Sequence, residues 1–516
     1  MENEAAQQPQ SPAASPVMSR RAREANPFRA MVFGEQADKM IAQGTSVIKL
    51  SLGEPDFGAP PAVRDAMREQ YDGRALPYTA AMGLPELRQA IADFYRERHD
   101  LDIDPKRICV TAGGSAALLL ATALTVDPGD DVIVADPSYP CNRELVRSFE
   151  GRVIDVPTSA ATRFHLTADL CSQYWTSKTK AVMITSPSNP TGTTIDFNVL
   201  DEVCKLAASR GAWRIVDETY LDLADREPDG TEVKSVLACD PDAIVCNSFS
   251  KFFGMTGWRL GWAILPDEPT VLEAVDDLAT NYYLCAHTPT QHAALACFTP
   301  ESLAECEARR QELLARRRIV IDGLKRIGLP VEVEPNGAFY AYFDISRTGL
   351  DAWTFCERAL DEAHVALTPG RDFGAATLCI QPDDAWHTDQ ALWLVENQAL
   401  FDRTDWLPEG THATLLYYGG QLDGRLLTWL SQRPRASRVI LFPDYDGVGL
   451  ANFTRLYEML GDACECWLMP QWESKLARYG SNPLWRDTLR HFTGAVDHLP
   501  AYMRDLTVQM QRLGLA

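Results

Sequence analysis

Ser248-Phe-Ser-Lys251-Phe-Phe-Gly-Met-Thr-Gly-Trp-Arg259-Leu-Gly-Trp262 is the stretch whose reading decides the fold. It follows the apolar run Ala243-Ile-Val-Cys246, which predicts a buried strand of a parallel sheet. A lysine at the end of such a strand sits where open α/β sheets place their chemistry. Gly254 and Gly257 form a turn after it, and Arg259 follows. In so apolar a context desolvation lowers a lysine's pKa, so its neutral amine can attack an aldehyde; Schiff-base chemistry is one reason to keep it there. The serines and Arg259 would hold a dianionic phosphate nearby.

The pattern Ser-x-Ser-Lys-x-x-x-Met-Thr-Gly-Trp-Arg-Leu-Gly resembles the pyridoxal-phosphate lysine motif of class I/II aminotransferases, which have fold type I. The resemblance spans roughly residues 26–375. It implies an α/β large domain with a parallel-rich sheet, a smaller α/β domain, bound pyridoxal 5′-phosphate (PLP), and a homodimer with shared active sites. Lys251 would then hold the cofactor and afterwards move a proton at the substrate's Cα.

Further motifs extend the resemblance. Ile108-Cys-Val-Thr-Ala-Gly113-Gly114-Ser115 predicts a strand, a tight turn and a helix start, where backbone N–H groups make an anion site and glycines allow close approach. Asp136-Pro-Ser-Tyr139-Pro140 carries the tyrosine that matches the family's ring-stacking aromatic. Ser186-Pro-Ser-Asn189-Pro190-Thr-Gly192 follows the strand Ala181-Val-Met-Ile-Thr, and its Asn189 amide can donate to a phenolate. Trp213-Arg-Ile-Val-Asp217-Glu218-Thr-Tyr220 ends on a carboxylate suited to keeping a pyridine nitrogen protonated. The resemblance makes Tyr220 the second partner of the ring's phenolic oxygen. It also gives Gly53, in Leu50-Ser-Leu-Gly53-Glu-Pro-Asp56-Phe57, and Asn189 to the substrate side, and sends Tyr78 to the phosphate of the neighbouring subunit. Gly114, Ser115, Ser248 and Arg259 complete the phosphate set. Lys251, Asp217 and Tyr220 are the expected catalytic residues.

The small domain opens at Val331-Glu-Val-Glu-Pro-Asn-Gly337-Ala-Phe-Tyr340 and continues through Thr368-Pro369-Gly370. Past residue 375 the resemblance stops. The family would continue with a strand bearing the arginine that binds the substrate's α-carboxylate. This chain has Thr377-Leu-Cys-Ile380-Gln-Pro-Asp-Asp384, with no arginine between Arg371 and Arg403. The expected domains are therefore a disordered tail over 1–25, a PLP-binding large domain over 26–299, a truncated small domain over 300–376, and a separate unit over 377–516.

That last unit reads as a small parallel sheet. Ala391-Leu-Trp-Leu-Val-Glu396 predicts a strand ending on a glutamate, and Ser437-Arg-Val-Ile-Leu-Phe442-Pro-Asp444-Tyr-Asp446 another ending on Asp-x-Asp. Glu396, Asp444 and Asp446 at one sheet edge would suit Mg²⁺. The arrangement resembles the Toprim domain of topoisomerases, primases and some nucleases. Asp-Tyr-Asp-Gly-Val could also open a haloacid-dehalogenase-like phosphatase, or the acids could be solvated turns. The second functional reading is thus a Mg²⁺-dependent phosphodiester enzyme fused to an altered aminotransferase-like region.

Composition bounds these readings. The chain has 516 residues, 46% hydrophobic and 23% charged, with net charge −22. That sign argues against bulk attraction to nucleic acid or an anionic membrane. Residues 377–516 hold 12 Lys+Arg against 17 Asp+Glu, so any nucleic-acid contact would rest on Arg433, Arg435 and Arg438. The sequence has no apolar run of membrane-spanning length and no secretory signal. Thirteen cysteines without paired C-x-x-C spacing predict reduced thiols and a cytoplasmic location.

Overall fold

The computed structural model describes residues 18–19, 21–22, 30–374, 387–396, 406–408, 413–418, 422 and 424–515. Most of the tail expected to be disordered lies outside them, as do residues 375–386, where the carboxylate arginine was sought. The chain divides into two compact units, Met1–Thr377 and Leu378–Ala516.

The strands of the first unit are β1 (Ile48–Lys49), β2 (Ile108–Thr111), β3 (Asp131–Asp136), β4 (Arg152–Pro157), β5 (Thr179–Thr185), β6 (Trp213–Asp217), β7 (Ile244–Ser248), β8 (Gly261–Ile264) and β9 (Val365–Ala366). Seven of them form one sheet in the order β2-β8-β7-β6-β5-β3-β4. Only β8 runs against its neighbours. The strands β2, β5 and β7 are buried along nearly their whole length, as near-continuous apolar runs require when both faces are covered. One face packs on Leu87, Ile91, Phe249 and Trp262, the other on Leu118, Ala121 and Val275. Because β2, β3, β5, β6 and β7 all point one way, their C-terminal ends share one edge of the sheet. Every motif quoted above for the cofactor begins at that edge.

The small cluster is not a continuous stretch. Helix Ala30–Ala42 packs Phe33 and Ala37 against Cys356 and Leu360 of helix Ala352–Ala363, and β1 pairs in parallel with β9. The N-terminal segment thus joins residues 352–366, although its place in the sequence assigns it to the large domain. A non-local strand pair of two residues leaves no periodic signal to read. Helix Pro300–Arg326 follows and is capped by Thr299.

The second unit has strands β10 (Ala391–Val395), β11 (Ala413–Tyr417), β12 (Val439–Phe442) and β13 (Cys464–Cys466), all parallel, in the order β11-β10-β12-β13. One face packs Leu392, Leu394 and Leu441 on Leu450, Phe453 and Phe492. The other is aromatic, with Trp393, Trp406, Phe442 and Trp467 in mutual ring contact.

Candidate active site

Lys251 stands three residues past the end of β7. Its Nζ donates to the Gly53 carbonyl at 2.5 Å and lies 5.7 Å from the centre of the Tyr220 ring. Burial brings its pKa down to about 8; the nearby charges of Glu54 and Asp217 oppose the shift and Arg259 adds to it. An amine titrating near 8 is about a quarter neutral at pH 7.5, against about one part in a thousand at its ordinary value.

Asp217 ends β6, the neighbouring strand, and is buried. Its carboxylate accepts the Thr219 N–H at 3.0 Å, and burial raises its pKa while Lys251 pulls it back. A buried carboxylate of this kind is relieved by a cation placed before it. Glu218, the next residue, takes no part in this. It accepts from Ser235 Oγ and the Val236 N–H and is pushed up to about 7 by burial.

A cradle forms at the start of helix Gly114–Thr125. Gly113 has φ +90°, and a Cβ there would lie 2.5 Å from the Arg259 guanidinium. A Cβ on Gly114 would meet Ser248 and Thr219, both at 3.3 Å. Arg259 itself holds the left-handed conformation, φ 53°, and donates to the Thr256 carbonyl at 2.8 Å. Ser248 Oγ donates to Ser250 Oγ at 2.8 Å. The sequence therefore brings Gly114, Ser115, Ser248 and Arg259 to the N-terminus of one helix, where unpaired N–H groups and the helix dipole favour an anion. Thr219 joins them without having been anticipated.

Asn189 is buried after β5, and its Oδ1 has no hydrogen-bond partner among the described residues. Such a group is costly unless a ligand engages it. Tyr139 precedes helix Pro140–Ser148, and burial raises its pKa, with Asp217 among the charges acting on it. Tyr78 is the outlier. It is 78% exposed on the segment that also exposes Tyr71 and Leu76.

The residue most plainly missed is Tyr340. Its hydroxyl lies 2.5 Å from that of Tyr220 and against Gly53. Nothing near it in the sequence marks it, because the 331–343 segment reaches the site only through the tertiary fold.

An amine of lowered pKa, a buried acid and an anion cradle fit PLP: Lys251 would meet its aldehyde, Asp217 its ring nitrogen, the Asn189 Nδ2–H and the Tyr220 hydroxyl its phenolic oxygen, and the Gly113–Ser115 turn with Arg259 its phosphate.

The acids of the second unit gather at a sheet edge without becoming an ion site. Glu396 accepts from Tyr418 Oη at 2.9 Å and from the Asp444 N–H at 3.1 Å. Asp446 caps helix Gly447–Leu460 through the Gly449 N–H at 2.8 Å. Among the described residues no group of three or more His, Cys, Asp or Glu side chains could hold a metal. The expected convergence of Glu396, Asp444 and Asp446 on one Mg²⁺ is corrected accordingly: Glu396 and Asp446 are engaged by the protein's own donors, and the three do not form such a group. The arginines are also engaged. Arg435 is buried over the Trp429 ring, and Arg438 pairs with Glu465.

Comparison with known proteins bears on the first unit. The sequence pattern of the family described as aminotransferase class I and II matches residues 45–386. A valine–pyruvate aminotransferase of Mycobacterium tuberculosis is 36% identical over 352 residues, 68% of this chain and 89% of its own length. An aspartate/prephenate aminotransferase of Thermus thermophilus is 33% identical over 69% of this chain and 92% of its own. Among solved structures, an aminotransferase from M. tuberculosis superposes with a TM-score of 0.66 at 34% identity, covering 70% of this chain and 92% of its own. The T. thermophilus aspartate aminotransferase with maleate gives 0.65 at 33%, covering 70% and 93%.

Proposed function

The chain belongs to the class I and II aminotransferases, and from that premise we propose how its own residues carry out the reaction. It is a PLP-dependent enzyme that moves an amino group between an amino acid and a 2-oxo acid, with Lys251 as its essential lysine. When bound, PLP supplies an aldehyde to bond the amino group and an electron-poor ring to take up charge from Cα.

Lys251 Nζ would hold the cofactor at its aldehyde carbon and, once released by the amino acid, would take the proton from the substrate's Cα and deliver it to that aldehyde carbon. Its pKa of about 8 suits both tasks near neutral pH. Asp217 keeps the ring nitrogen protonated from a buried position. Asn189 and Tyr220 would hold the phenolic oxygen, Tyr139 would stack on the ring, and Gly53 would line the substrate side. Gly114, Ser115, Ser248 and Arg259 bind the phosphate. Tyr78, exposed beside Tyr71 and Leu76, reaches the phosphate of a second copy, so the working form is a homodimer.

The observation that carries this reading is the lowered Lys251 amine one strand away from buried Asp217. The test supplies purified protein and PLP with ¹⁵N-labelled amino acids, valine and aspartate among them, and pyruvate. Labelled alanine is the expected product. Failure of every donor to label any 2-oxo acid offered would overturn the reading.

For the second unit we infer a Toprim-like domain, on the strength of its parallel sheet with Glu396 and Asp444 at adjoining strand ends. No helix among the described residues is long and apolar enough to cross a membrane. The described cysteines are all free thiols, in keeping with a cytoplasmic location.

A further inference from the structure

We propose that Tyr340 is a positioning residue of the Lys251 site, acting through Tyr220 on the phenolic oxygen of the cofactor. The inference rests on the aminotransferase reading above and adds a residue to it.

Tyr340 lies 120 residues beyond Tyr220, yet their hydroxyls are 2.5 Å apart and their rings meet edge-on with centroids at 5.4 Å. Its seat is fixed by two glycines. A Cβ on Gly53 would stand 2.2 Å from the Tyr340 hydroxyl oxygen, and one on Gly192 would stand 2.8 Å from the Tyr340 carbonyl oxygen. Gly53 carries the carbonyl to which Lys251 donates, and Gly192 closes the turn that holds Asn189. Residues at these two positions are therefore small partly because the Tyr340 side chain and backbone must lie there. Packing alone does not require the hydroxyl. Phe339, which has none, also packs edge-on against Tyr220, with centroids at 5.7 Å.

The pair has two protons and shares one hydrogen bond. Burial raises the pKa of both phenols, with Asp217 acting on each in the same sense, so both stay protonated. If Tyr340 donates to Tyr220 Oη, the Tyr220 proton is left to point at an anion in the pocket. A hydroxyl whose oxygen already accepts a hydrogen bond is a stronger donor. A phenolate beside Tyr220 selects this orientation, since the reverse one would turn a lone pair toward negative charge. Tyr340 thereby sets both the direction and the strength of the Tyr220 donor.

The test uses the PLP-loaded full chain and follows the pH midpoint of the bound cofactor's visible absorption band. A donor at the phenolic oxygen stabilises the deprotonated chromophore, so weakening that donor raises the midpoint. Tyr340→Phe keeps the ring and removes one oxygen. It should raise the midpoint by about half a unit and lower kcat several-fold, with KM within about twofold. Tyr220→Phe should raise the midpoint further, and Tyr220→Phe/Tyr340→Phe should match Tyr220→Phe alone, because the second change acts through the first. Gly53→Ala, which crowds the Tyr340 hydroxyl, should shift the midpoint in the same direction. A Tyr340→Phe midpoint equal to the parent's, or a shift kept in full in the Tyr220→Phe background, would overturn the proposal while leaving the enzyme an aminotransferase. A parent protein with no titrating band would instead remove the aminotransferase reading, and this inference with it.

Discussion

Two sheet edges in this chain look alike from the sequence and differ in kind. Each is the C-terminal edge of parallel strands, and each carries ionisable residues at adjoining strand ends: Asp217 beside Lys251 in the first unit, Glu396 beside Asp444 in the second. At the first edge groups are left open. Lys251 is partly neutral, Asn189 Oδ1 has no partner among the described residues, and Gly113 leaves a cradle in front of Arg259. At the second edge Tyr418 and the Asp444 N–H hold Glu396, and Asp446 caps a helix. Position at a sheet edge therefore does not make a reactive site. What distinguishes the first edge is polar groups whose needs the protein itself does not meet.

The comparison can be broken by mutation, and the largest effects belong to the first edge. Lys251→Ala should lower transamination on the order of 10⁴-fold, because one amine both binds the cofactor and moves the proton. Steady-state assay with the donor that labels alanine checks it, and a loss under tenfold would place the reactive amine elsewhere. Asp217→Ala should retain PLP by equilibrium dialysis and lose roughly 10²–10³-fold in kcat, the range seen when one preorganised electrostatic partner is removed. Near-normal turnover would show that the buried acid does not face the ring.

The smallest effect sharpens the other side. Burial, with the charges of Asp444 and Asp446, pushes Glu396 up to about 7 from its usual 4.5. A carboxyl raised in the folded state adds stability that is fully present below its unfolded pKa and lost as pH rises through the folded one. The second unit should thus melt at falling temperature as pH rises from about 4.5 to about 7, by roughly 2–4 °C for each kcal/mol of stability lost. Glu396→Gln should flatten that dependence and leave transamination within about twofold. Loss of activity in this variant would mean that the two edges are not independent.

Much of the first site was legible because its residues cluster in short motifs at strand ends. Lys251 and Arg259 lie in one run, and Asp217 and Tyr220 in another, so periodicity and turn chemistry put them at strand ends, while their roles toward a cofactor came from the family resemblance. Tyr340 and the N-terminal helix were not legible for the opposite reason. Tyr340 meets Gly53 and Tyr220 only after the chain folds back, and Phe33 meets Cys356 across the length of the first unit. For the second unit the strands and the acids at their ends could be read. Their donors could be read only in part: the Asp446 cap on the Gly449 N–H is a local contact three residues on, whereas the Tyr418 hydroxyl reaches Glu396 only through the pairing of β10 with β11. The clustering of Arg433, Arg435 and Arg438 in the sequence misleads similarly, because burial of Arg435 over Trp429 withdraws it from the surface.

The central claim is that one lysine at the first edge carries the chemistry, and reductive trapping tests it most directly. PLP-loaded protein is treated with borohydride, digested, and mapped by mass spectrometry. The expected result is a single pyridoxyl-phosphate label on the peptide containing Lys251, lost in Lys251→Ala. A label on any other lysine in the native protein, or none at all at saturating PLP, would contradict the account.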